Sequence, residues 1–91
     1  MGNINVAKLV SEYLSQFHGH YKVLRHFDDE EELLAWLETT GSQYRDWGYY
    51  KGHPTDPHCA VHIKDSKWCV LFELRWAHVI IGTIDNHHHL L

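Results

Sequence analysis

The chain has 91 residues, 44% hydrophobic and 22% charged, which fits a single folded domain with a small core and excludes a disordered chain. Its 8 Lys and Arg stand against 12 Asp and Glu, a formal charge of −4, and no three basic residues run together. That balance argues against a nucleic-acid partner, which would need a basic patch.

The 10 histidines make the charge labile, since protonating them reverses its sign as pH falls from about 7 to 5. Residues 1–86 read as one α+β domain, and 87–91 as a tail that carries no functional reasoning. No run is apolar enough to span a membrane: Glu73, Arg75 and His78 interrupt the longest candidate. Two cysteines, Cys59 and Cys69, are too few for a disulfide scaffold, and no signal-peptide pattern is present. The expectation is a reducing, cytoplasmic setting.

Val6, Val10, Tyr13, Leu14 and Phe17 recur at helical spacing and predict a helix over 5–18, with Asn3 or Asn5 as its cap and Gly19 as its stop. Residues 20–27 are rich in β-branched and aromatic residues and predict a strand. A second helix is expected over 28–40. Asp28 is placed as its N-cap, Glu31 completes a capping-box pattern, and Leu33, Leu34, Trp36 and Leu37 form its apolar face. An edge strand near 46–51 follows, then a loop containing Pro54 and Pro57.

Two strand-like runs come next, Cys59–Ile63 and Trp68–Leu74, joined by residues 64–67 as a hairpin. Pairing Ile63 with Trp68 sets Val61 opposite Val70 and Cys59 opposite Phe72 on a core face. The other face then holds His62 beside Cys69, Ala60 beside Leu71 and His58 beside Glu73. The two cysteines point to opposite faces, so no disulfide between them is expected. No turn residue appears between Leu74 and Gly82, yet one strand through to Ile84 would run about 55 Å. A bend at Arg75–His78 and a last strand over 78–84 are expected. The alternative is a helix over 67–81, because Val70, Leu74, Ala77 and Ile81 also share a helical face. The expected architecture is α+β: a mainly antiparallel sheet of about 4–5 strands with two helices packed on one face.

The chemistry is sparse. His53, His58, Cys59 and His62 are the candidate metal ligands, zinc being the natural ion, but their spacing matches no standard module. A nucleophilic enzyme would need a Cys–His pair, for which His62 with Cys69 is the candidate, yet no elbow or oxyanion loop accompanies it. No cofactor motif is present. A pH-responsive role for the histidines is a further alternative. The leading expectation is non-catalytic binding of another protein, in the manner of small inhibitors, immunity factors or accessory proteins. Tyr44, Arg45, Trp47, Tyr49 and Tyr50 have the composition of interface anchors. The acidic run Asp28, Asp29, Glu30, Glu31 and Glu32 would steer a basic partner. An exposed edge strand also permits a homodimer.

Overall fold

The computed structural model describes residues 5–25 and 27–84, with the side chains of 27–29 outside that description. The tail at 87–91 lies outside the described residues as well. The elements are α1 (Val6–Leu14), β1 (Gly19–Leu24), α2 (Phe27–Glu38), β2 (Trp47–Tyr50), β3 (His58–Ile63), α3 (Ser66–Arg75) and β4 (Ile80–Thr83). The class is α+β. The described strands form one four-stranded sheet in the order β2-β3-β1-β4, and every neighbouring pair is antiparallel.

Local chemistry accounts for most boundaries. The Asn5 side chain accepts from the Lys8 amide at 3.0 Å and starts α1. The helix ends at Leu14, four residues short of the expected end at 18: the Ser15 hydroxyl donates to the Glu12 carbonyl at 2.7 Å, and the chain turns toward β1. Gly19 is thus the first residue of β1. An added Cβ there would come within 2.6 Å of the Cys69 sulfur and of the Tyr21 ring, so this crossing needs glycine. α2 starts at Phe27, which places Asp28 inside the first turn and not at the cap.

The main departure from expectation is at 66–75. These residues form a helix, not the second arm of a hairpin, so the pairing of Ile63 with Trp68 does not exist. β3 instead pairs with β1, in the register Gly19↔Ile63, Tyr21↔Val61 and Val23↔Cys59. On its other side it pairs with β2, Trp47 facing Ile63 and Tyr49 facing Val61. The Asp65 side chain accepts from the Lys67 amide at 2.8 Å and caps α3. What looked like a hairpin turn is therefore a helix start. Cys69, Phe72 and Trp76 are buried at i, i+3 and i+7, whereas Val70, Leu71 and Leu74 are exposed. The expected bend at Arg75–His78 is present, as the turn between α3 and β4, with the Val79 amide on the Trp76 carbonyl at 3.0 Å. Asp65→Ala is expected to cost about 1 kcal/mol through loss of this cap, read as a lower urea midpoint.

Alternation along the strands gives the sheet two distinct faces. Trp47, Tyr21, Val23, Cys59, Val61 and Ile63 point inward and meet Leu33 and Leu37 of α2 and Cys69 and Phe72 of α3 in one buried cluster. α2 and α3 thus share this face. The outer face carries His20, Lys22, Ala60, His62, Gly48 and Tyr50. Tyr13 and Phe17, at the exit of α1, cover one end of it: the Phe17 ring lies 5.9 Å from that of His62, and Tyr13 packs edge-on to Phe17 at 4.9 Å.

Candidate partner-binding surface

The loop between α2 and β2 holds Tyr44 and Arg45, and β2 holds Trp47, Tyr49 and Tyr50 and sorts them by parity. Trp47 points inward and is 1% exposed, its indole Nε1 donating to the Gly41 carbonyl at 3.0 Å. It therefore anchors the loop from below and is not offered to a partner. Tyr49 also points inward and is half-buried. Its hydroxyl donates to Glu30 Oε2 at 2.6 Å and ties β2 to α2. Burial, then this bond, push the Tyr49 phenol far above its ordinary value, so it stays a donor. Tyr50 turns outward and is 70% exposed.

Tyr44 is 66% exposed at the loop tip, with φ 68°, in the left-handed region that a bulky side chain rarely adopts. The strain persists because the loop is fixed on all sides. The Asp46 carboxylate accepts from the Ser42 amide at 2.7 Å, and the Asp46 amide donates to the Ser42 carbonyl at 2.8 Å. The Tyr44 amide reaches the Trp47 carbonyl at 2.6 Å, and the Lys64 amide holds the Asp46 carbonyl at 3.0 Å. Gly41, at φ 152°, makes room for the Asp46 carboxylate, which an added Cβ would strike. The Ser42 amide bond, helped by Arg45, holds the Asp46 carboxyl below the usual carboxylate range. What that bond contributes is present above the unfolded value near 3.9 and is lost as pH falls through the lower folded value. The loop therefore keeps its shape across the whole neutral and mildly acidic range. Arg45 is exposed beside Asp46, with its Nε 3.0 Å from the carboxylate.

The neighbouring surface is apolar. The Tyr13 phenol is pushed up by burial and, secondarily, by the Tyr44 phenol. An added Cβ on Gly48 would sit 3.0 Å from the Tyr13 hydroxyl, so Tyr13 lies over the β2 edge. Val10 and Val6 continue its helical stripe, and with Leu9 they are all exposed. Tyr13, at the end of that exposed stripe, is what meets the β2 edge.

The acidic run is less free than its composition suggests. Glu30 accepts from Tyr49 and pairs with Lys51 at 3.1 Å. Burial alone would raise its carboxyl, but the Tyr49 hydroxyl, Lys51 and Arg25 outweigh burial and hold it low. Glu32 pairs with Arg75 at 2.9 Å on the surface, and Glu31 is exposed. The side chains of Asp28 and Asp29 lie outside the described residues.

The alternative chemistries lose their pairings. His62 is on the outer face, while Cys69 lies on α3 with its thiol 3.6 Å from the Ile63 carbonyl on the inner side. His58 is likewise outer, and Glu73 accepts from the inner Tyr21 hydroxyl at 2.8 Å. Burial pushes both thiols up, which leaves them poor nucleophiles, and both cysteines are free. Of the expected ligands, His53 bonds Thr55 in the 51–57 loop, His58 pairs with Asp56 at 3.1 Å, Cys59 is buried inside, and His62 is buried outside. Among the described residues no group of three or more His, Cys, Asp or Glu side chains is arranged to hold a metal ion. No described helix is long and apolar enough to cross a membrane. No protein-family model matches the sequence, and neither the curated proteins nor the solved structures contain a match.

Proposed function

We propose that the protein acts without catalysis, by binding another protein through Tyr44 and Arg45 together with the exposed apolar stripe of α1. The observation that carries this reading is Tyr44 itself. A large aromatic ring is held out to solvent at φ 68° by a loop braced by hydrogen bonds among Ser42, Tyr44, Asp46, Trp47 and Lys64. Backbone strain of this kind costs roughly 1–2 kcal/mol and persists where the presented geometry is used. Tyr and Arg are also the residue types that dominate binding energy at interface centres. A preformed loop loses little entropy on association. Val6, Leu9 and Val10 supply the flanking apolar area. Glu31 and the rest of the acidic run bring in a basic partner from a distance, and Tyr50 extends the contact along β2. The setting is cytoplasmic in this reading, in keeping with two unpaired thiols.

The test is affinity capture from the source cell's lysate with four proteins of matched stability: wild type, Arg45→Ala, Val10→Asp and, as control, Leu74→Asp on the remote α3 surface. The specific partner is expected to be retained by wild type and Leu74→Asp and reduced at least tenfold by Arg45→Ala and Val10→Asp. Equal capture by all four contradicts the reading.

A further inference from the structure

The loop that presents Tyr44 also presents Arg45, and the geometry of Arg45 defines the group it can receive. Its side chain is 73% exposed, and its Nε stands 3.0 Å from Asp46 Oδ2. That oxygen is itself fixed, since it accepts from the Ser42 amide at 2.7 Å. The guanidinium is thus tethered at its inner end to a braced part of the loop. Beyond Asp46, no described residue bonds it. A guanidinium is planar, and its two Nη atoms form the edge farthest from the stem. With Nε turned to Asp46, that far edge offers two parallel N–H donors to solvent.

Two parallel donors fit two coplanar acceptor oxygens. A carboxylate and a phosphate both supply them, and Asp46 discriminates between the two. The Ser42 amide and Arg45 keep the Asp46 carboxyl ionised at neutral and mildly acidic pH. A phosphate dianion placed beside it is repelled about twice as strongly as a carboxylate at the same distance. Lys64 and Asp65 line one cleft with Asp46 and offset each other, so they do not change this preference. A neutral carbonyl would engage only one of the two donors. The arrangement therefore selects a single planar negative charge.

We propose that the partner protein seats a side-chain carboxylate, from an Asp or a Glu, on the outer guanidinium edge of Arg45, next to Tyr44 in the chain. This rests on the reading of Tyr44 and Arg45 as the binding surface and names the group which that surface receives. The tether to Asp46 restricts the Arg45 side chain before binding, so less freedom is lost when the contact forms. The contact is local. The acidic run at the start of α2 acts from a distance on the partner's wider charge, and a basic protein still carries individual acidic residues. Lysine at position 45 does not reproduce the arrangement. Its one nitrogen is a point charge without two coplanar donors, and Asp46 would draw it inward.

The test is selection of a random peptide library, displayed on phage, on the immobilised full chain, with counter-selection on Tyr44→Gly. The peptides that remain are expected to share an Asp or Glu. Their affinity is expected to fall at least about tenfold for Arg45→Ala and at least about fivefold for Arg45→Lys, with urea midpoints at the wild-type value. Replacing the shared acid by Asn or Gln is expected to weaken binding to wild type by the same tenfold and to Arg45→Ala no further. Peptides without a shared acid, an empty pool, or wild-type affinity in Arg45→Lys overturn the proposal. Where Arg45→Ala nevertheless loses capture from the lysate, those results strike the carboxylate alone. Lysate capture unchanged in Arg45→Ala strikes the binding surface as well.

Discussion

Trp47→Ala is expected to lower stability by about 3–5 kcal/mol, a large share of what a domain of this size possesses. The ring is almost wholly buried, faces Ile63 across the β2–β3 ladder, and belongs to the inner core cluster. Its removal leaves a cavity that the sheet cannot close, because neighbouring strands hold their spacing. It also frees the Gly41 carbonyl and so loosens the loop that carries Tyr44. The effect would appear as a large drop in urea midpoint. A loss below about 1 kcal/mol would show that Trp47 sits at the surface after all.

Phe72→Ala is expected to be as severe, again about 3–5 kcal/mol, while Val70→Ala is expected to change stability by less than about 0.5 kcal/mol. Phe72 is 0% exposed, with the Tyr21 ring at 4.9 Å and the Trp36 ring at 6.0 Å. Val70, two residues earlier, is 58% exposed. In a strand the two would lie on one face and share one environment. In a helix they lie about 200° apart, and alanine is the better helix former at the exposed position. The contrast between the two variants therefore reports the helical state of 66–75 directly. Comparable losses from both would return this segment to a strand.

The same two residues explain why the sequence misled there. Trp68, Val70 and Phe72 alternate as a strand should, while Cys69, Phe72 and Trp76 recur as a helix should, and both patterns draw on one apolar run. Of the helical face noticed in the sequence, Val70, Leu74, Ala77 and Ile81, the two residues that lie in α3, Val70 and Leu74, are exposed, and the other two lie beyond the helix. A local signal was present in Asp65, a good N-cap directly before the run. Strands β1, β2 and β3 and helix α2 were legible because each has one dominant period and clear breakers. The partner of β3 was not, since β1 lies some forty residues earlier and no local pattern encodes that pairing. The contact between His20 and His62, opposite each other in β1 and β3, exists only through that pairing and was equally hidden. In the aromatic segment, composition pointed to a binding surface, but strand parity decides which rings reach it. Trp47 and Tyr49 go inside, whereas Tyr44, Arg45 and Tyr50 remain outside.

The central claim is that Tyr44 is kept in a strained conformation for binding and not for folding. Tyr44→Gly measures this most directly, with the urea midpoint and partner capture read on the same preparation. Glycine adopts φ 68° freely, so stability is expected to stay level or rise by up to about 1 kcal/mol while capture of the partner is lost. Capture at the wild-type level by this variant, or a marked loss of stability, would contradict the account.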